Sequence, residues 1–339
     1  MPTKHSERAA AGFLMIGFDG HEVTDHVRAM LRDGAFGAIL FGRNYANREQ
    51  VRELSRAIKS CAESAAVAVD HEGGRVQRFR GRGFTETGSM RELSGEWASH
   101  PHGPEHRARA LGELFAAELR PIGIDIDFAP VLDVDSNPAN PVIGERSFGR
   151  DAELVASLGA ALIRGLQSGG VAACGKHFPG HGDTDADSHH HLPRLSHTLE
   201  RLRAVELVPF RAAVRAGVAS IMTSHILFTA LDAARPATMS ETVVQGILRR
   251  ELGFEGVIVS DDLEMKAIAD HFPLPGSAVD AVKAGCDLLL CCHTPELQRR
   301  IHAALAKAIH DGEVGAELVE ASQRRRRQLA ERYVGGLHA

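Results

Sequence analysis

Apolar residues gather along this chain in short runs at residues 13–18, 38–41, 66–69, 124–129, 171–174, 220–223, 256–259 and 287–291. None alternates with polar residues as a half-solvated strand would. Unbroken apolar character instead suits strands buried on both faces, as in a parallel sheet covered by helices. Between the runs lie segments with helical spacing, at residues 21–33, 47–60, 105–119, 151–167, 199–216, 240–252 and 276–284, and a helix-rich tail spans about 295–333. Two starts carry cap signals: Asn47 with Gln50 three positions on, and Ser240. Eight buried strands alternating with helices predict an α/β fold of one domain, a (β/α)8 barrel of the TIM type. Its core would span about residues 10–310, with a helical tail at 311–339. A doubly wound open sheet is the alternative, but no glycine-rich phosphate loop follows the first run. Residues 81–106, which contain Gly, Ser and His, read as an excursion between strands three and four.

A barrel of this kind carries its active site at the C-terminal ends of the strands. Those ends are polar here. The third run leads into Asp70, His71, Glu72 and Arg75, and the fourth into Asp133 and Asp135. The fifth leads into Lys176 and His177, the sixth into Ser224 and His225, and the seventh into Ser260, Asp261 and Asp262. Stability alone does not call for so many titratable groups on one rim.

The densest stretch runs from Lys176 to His191, with five histidines, three aspartates and one lysine in sixteen residues. Gly180 and Gly182 suggest a backbone free to bend, so its second half reads as a mobile loop. A histidine two residues from a carboxylate, as His189 is from Asp187, can be polarised into a general acid near neutral pH. His190 and His191 compete for that part, and a solvated polar loop is the plain alternative. Asp261 is placed to be a nucleophile, a general base, a metal ligand or a helix cap. Lys176 and His177 suit sugar hydroxyls, or a buried ion pair. Asp70 offers a carboxylate grip on vicinal hydroxyls, with Arg78 nearby. Arg146 offers a planar fork, and either arginine also suits a rim salt bridge.

Composition narrows the choices. Apolar residues make up 44% of 339, enough for a large core, and the net charge of −5 gives no electrostatic case for nucleic acid. The four arginines at 324–327 read as the solvated side of the last helix. The five cysteines lack a scaffold spacing, which predicts reduced thiols in a cytoplasmic protein. The N-terminus has no apolar leader and no run is long enough to span a membrane, so no membrane partner is expected. Barrel metallohydrolases place a His-x-His pair on the first strand, where this chain has Asp19 and His21. No metal and no other cofactor is expected.

Four motifs together resemble the family 3 glycoside hydrolases, and within them the bacterial β-N-acetylhexosaminidases of peptidoglycan recycling. They are Asp70-His71-Glu72-Gly73-Gly74-Arg75-Val76-Gln77-Arg78, Glu145-Arg146-Ser147-Phe148-Gly149, the stretch from Lys176 to His189, and the run from Gly256 to Asp261. The resemblance covers about residues 10–310. It implies Asp261 as nucleophile and His189 as acid/base paired with Asp187. Asp70, Arg78, Arg146, Lys176 and His177 would bind the sugar, a terminal β-linked N-acetylglucosamine on a muropeptide-type fragment. Family β-glucosidases draw their acid/base from a second domain, whereas this chain has the Asp-Ser-His loop. Two positions depart from the family pattern: Glu264 stands where a small residue is usual, and His71 where Gln is common. A glycosyl phosphorylase, a β-glucosidase, a metal-dependent barrel hydrolase and a non-catalytic sugar-binding barrel are the competing readings.

Overall fold

The computed structural model describes the chain apart from residues 63, 82, 100–101, 186–191 and 336–339. Each apolar run forms a strand: β1 (Leu14–Ile16), β2 (Gly37–Leu40), β3 (Ala66–Val69), β4 (Ile126–Asp127), β5 (Ala172–Phe178), β6 (Ser220–Thr223), β7 (Val257–Asp262) and β8 (Leu288–Cys291). They pair in parallel in chain order, and β8 returns to β1 through Leu14 opposite Leu289 and Met15 opposite Leu290. The sheet is a closed barrel, which rules out the open doubly wound alternative.

Closure explains the missing alternation. Met15, Ile39, Ala68, Ile126, Cys174, Met222, Val259 and Leu290 belong to one buried cluster that fills the barrel. Their strand neighbours Leu14, Ile16, Leu40, Val69, Ala173, Ile221, Ile258 and Leu289 pack outward on helix residues such as Val27, Leu54, Ile163 and Leu248. Both faces are apolar because both are covered. Leu329 and Tyr333 of the helix Ala316–Tyr333 join the inner cluster and plug the bottom.

The helices follow the caps. Asn47 accepts from the Gln50 amide and starts Arg48–Cys61, which buries Val51, Leu54, Ser55 and Ile58. The helix expected from residue 21 begins at Asp25, where Thr24 supplies the cap. The segment expected as one helix at 199–216 is two, Leu199–Ala204 and Leu207–Arg215. Pro209 has no amide hydrogen to continue the first, and it sits in the first turn of the second, where none is needed. The Ser240 hydroxyl does accept from the Val243 amide, ahead of a wide π-type helix at Thr242–Glu251. Helices that were not anticipated include Lys4–Gly12, the short Lys266–Ala269, and Met90–Trp97 within the excursion, started by a Ser89–Glu92 capping box.

The arginine run at 324–327 is not wholly solvated. Arg326 turns inward, with its guanidinium 4.3 Å over the Phe13 ring and Nη1 donating to the Asp287 carbonyl at 2.7 Å. Arg325 and Arg249 donate to the Asp287 carboxylate, whose side chain is fully buried. A buried charge is tolerated only when paired. Removing it in Asp287→Ala leaves the arginines facing one another and should cost about 3–5 kcal/mol in urea unfolding.

His71 sits in a hydrophobic setting. Its ring lies edge-on to Phe115 at 5.1 Å, with Phe79 and Phe84 at 6.0 Å, and neither ring nitrogen has a hydrogen-bond partner. Burial, with Arg80 adding to it, pushes its pKa down to about 3. The unfolded chain then binds a proton that the folded chain refuses, so stability falls as pH drops from about 6.5 towards 3. His71→Gln should flatten the loss of stability across that window, read as thermal midpoint against pH.

Candidate active site

The mouth of the barrel holds a cavity of about 510 Å³. Asp70, Arg78, Arg146, Lys176, His177 and Asp261 all line it, so six of the eight expected site residues come together. Asp187 and His189 lie outside the described residues. Nearer the cavity in sequence, Asp183 accepts from Ser136 Oγ at 2.9 Å and lies 2.9 Å from His197 Nε2.

Lys176 and His177 lie within β5 rather than beyond its end. Neighbours on a regular strand face opposite ways. Here the pairing with β6 shifts register between Lys176 and Phe178, and both side chains reach the cavity. Gly182 also serves a purpose other than bending. A Cβ there would sit 1.7 Å from the Val134 carbonyl oxygen, so the position demands a close backbone approach.

A lattice of ion pairs forms the floor. Lys176 Nζ lies 2.7 Å from Asp70 Oδ1 and 2.6 Å from Glu72 Oε1. Arg146 grips both oxygens of Glu72 at 2.8 Å through Nε and Nη2. Arg78 reaches Asp70 Oδ2 at 3.4 Å. Burial alone would push Lys176 down, but Asp70 and Glu72 outweigh it and raise the ammonium above its ordinary value. Burial likewise opposes the ionised Glu72, and Arg146 with Lys176 brings it far below the usual carboxylate range. The alternatives of ion pair and sugar ligand for Lys176 and Arg146 are therefore not exclusive: these groups are paired with carboxylates and also open to the cavity.

A second network orients the histidines. Asp133, fully buried, accepts from His177 Nδ1 at 2.7 Å, from the His177 amide at 3.1 Å and from the His181 amide at 2.7 Å. Burial raises its proton affinity, but His177, with further help from His181, brings its pKa below the ordinary value. An Nδ1–H directed at Asp133 leaves His177 Nε2 for a ligand. Burial and neighbouring His177 push His181 down to about 4, so it is neutral across the working range.

Asp261 sits near the end of β7, where its Oδ1 accepts from the Asp262 amide at 2.8 Å. Asp262, not Asp261, takes the turn-capping part, accepting from the amides of Glu264 and Cys292 at 3.2 Å. Glu264 also has a partner set. Burial would raise its pKa, but hydrogen bonds from Thr294, His293 and Cys291 lower it. Its Oε1 accepts from the amides of His293 and Thr294 at 2.7 and 3.0 Å. It thus ties the end of β7 to the loop after β8.

Sequence reasoning did not single out Glu72, Asp133, His181 or His293 as site residues. The signal for Glu72 was charge balance, since buried Lys176 and Arg146 need more carboxylate than Asp70 supplies. Among the described residues no group of three or more His, Cys, Asp or Glu is placed to hold a metal ion. Four of the five cysteines are buried and all are free thiols. No helix among the described residues is long and apolar enough to cross a membrane.

Comparison with known proteins agrees with this geometry. The family model described as the glycosyl hydrolase family 3 N terminal domain matches residues 9–329. A β-hexosaminidase of Thiobacillus denitrificans is 44% identical over 296 residues, 87% of this chain and 82% of that one. A β-hexosaminidase of Neisseria meningitidis serogroup C is 43% identical over 84% of this chain and 79% of its own length. Among solved structures, a family 3 β-N-acetylglucosaminidase from a Paenibacillus species superposes with a TM-score of 0.92 at 41% identity. The match covers 96% of this chain but 62% of that longer one. NagZ from Neisseria gonorrhoeae, solved in complex with N-trifluoroacetyl-D-glucosamine, gives 0.78 at 38% identity, covering 94% of this chain and 97% of its own. By a family match over nearly its whole length, and by two-fifths identity to enzymes named β-hexosaminidase, this chain belongs to glycoside hydrolase family 3.

Proposed function

We propose that this chain works as a β-hexosaminidase by a retaining, two-step route, releasing terminal β-linked N-acetylglucosamine from muropeptide-type fragments in the cytoplasm. The observation that carries this reading is the placing of Asp261, at the end of β7, on the same cavity as Asp70, Arg78, Lys176 and His177. Asp70 and Glu72 pair with cations on the floor, and Asp261 lies at the strand end where a sugar's anomeric carbon would stand.

In the first step Asp261 attacks that carbon, and His189, paired with Asp187, gives its proton to the departing oxygen. A glycosyl-enzyme ester results. In the second step neutral His189 takes a proton from water, the water oxygen bonds to the anomeric carbon, and the Asp261 ester bond breaks. Most retaining glycosidases use two carboxylates about 5–5.5 Å apart. A neutral histidine places no second negative charge beside the nucleophile, so neither group has to be driven to an unusual pKa by the other. Asp70, Arg78, Lys176 and His177 would hold hydroxyls of the sugar, with Arg146 supporting the floor. The gonococcal structure, occupied by an N-acylglucosamine, supports an N-acetyl sugar as the ligand.

Asp261→Ala should lower kcat by roughly 10⁴-fold or more on every glycoside, as removal of a nucleophile does. His189→Ala should cost about 10²–10⁴-fold on an alkyl N-acetylglucosaminide, and far less on the p-nitrophenyl glycoside, whose leaving group needs little proton assistance. Equal losses on both substrates would remove His189 from the acid role.

A further inference from the structure

Beside the nucleophile lies a second carboxylate that the proposed reaction does not use. Asp262 lines the same cavity, and its amide is a hydrogen-bond donor to Asp261. Its Oδ1 is fixed by the amides of Glu264 and Cys292, and its Oδ2 lies 3.2 Å from His293 Nε2. His293 stands on the rim, half-exposed, with its ring 5.9 Å from that of Phe41. Its own backbone amide donates to Glu264 Oε1 at 2.7 Å. We propose that His293 is a positioning residue that acts on Asp261 through Asp262.

Two effects follow from this chain of contacts. The imidazole holds the Asp262 carboxylate, which keeps the Asp262 amide directed at Asp261. As a cation it also offsets the negative charge of Asp262, one residue from a nucleophile that must stay ionised. A like charge so close favours the protonated nucleophile, and a cation paired with it cancels most of that effect.

The groups facing His293 favour the charged form. From β7 and the turn after it come Asp262 and Glu264; from the loop after β2 come Arg43 and the Phe41 ring. Arg43 opposes the charge, but Asp19 lies 2.7 Å from it and the Phe18 and Cys292 carbonyls accept from it. The hydrogen bond to Asp262 is the largest influence and raises His293 above its ordinary value. His293 is therefore protonated throughout the acid range in which a carboxylate nucleophile gains its charge. On the far side of Asp262, His225 Nε2 lies 3.0 Å from its carbonyl oxygen, and burial holds that ring's pKa below its ordinary value.

The inference rests on Asp261 being the nucleophile. The test is the pH profile of kcat/KM for p-nitrophenyl N-acetyl-β-D-glucosaminide in His293→Gln, His293→Lys and His293→Ala, with thermal midpoints recorded for each. His293→Gln keeps a donor but no charge, so its acid limb should move up by roughly 0.5–1 pH unit. His293→Lys keeps the charge and should hold the limb near the wild-type position. His293→Ala should show the shift and also a lower plateau, with KM little changed. An unmoved limb in Gln and Ala, or the same shift in Gln and Lys, would overturn the proposal. Asp261→Ala separates this failure from the larger one. If that variant is inactive while the limb stays fixed, only the part given to His293 falls. If that variant still turns over, the nucleophile itself has been misassigned.

Discussion

The arrangement of this site depends on one constraint: a lysine buried in the wall of a barrel has to find negative charge. Lys176 is held by Asp70 and Glu72 at 2.7 and 2.6 Å, and Arg146 closes the lattice by gripping Glu72 with two nitrogens. Charges taken out of water are costly unless their geometry and hydrogen bonds are nearly complete. Completing them draws together residues 70–78 after β3, where His71–Gly73 pairs antiparallel with Val76–Gln77, the segment that carries Arg146, and β5. The same contacts fix the polar groups that face the cavity, so one set of residues meets the needs of folding and would also meet those of the proposed sugar binding.

Asp261, the proposed nucleophile, lies at the end of β7, on the same cavity as that lattice. Each neighbouring carboxylate has a separate role. Glu72 is neutralised on the floor, Asp133 orients His177, and Asp262 caps the turn and steadies its neighbour. Asp261 faces the cavity, where the covalent chemistry would take place. Glu264 fits the same scheme. A small residue at that position could not accept from the amides of His293 and Thr294, and the loop after β8 would lose its tie to β7. What looked in the sequence like a departure from the family is, in the structure, the anchor of a local network.

Much of this was legible from residue order alone. Eight two-sided apolar runs are difficult to bury other than in a parallel sheet, and each forms a barrel strand. Strand-end polarity located the mouth and lining residues such as Asp70, Lys176, His177 and Asp261, while Arg78 and Arg146 came from the motifs. What escaped was set by contacts between residues far apart in sequence. Glu72 lies between two noticed neighbours, and its importance appears only when Arg146, 74 positions on, is seen to grip it. Arg326 lies in a run of four arginines that looks solvated, yet it turns onto Phe13 because Asp287 is buried beneath it. Gly182 resembles a hinge residue, and only the Val134 carbonyl shows that it answers a lack of space. The split at residues 204–207 was open to the sequence, since Pro209 signals it.

The central claim is a covalent bond between the sugar and Asp261. The direct measurement is to treat the protein with 2-acetamido-2-deoxy-5-fluoro-β-D-glucosyl fluoride, digest it, and locate the label by tandem mass spectrometry. The account predicts one sugar esterified to Asp261 within the β7 peptide, and none in Asp261→Ala. A label on Asp262 or on another side chain, or steady turnover with no adduct and an inverted product, would contradict it.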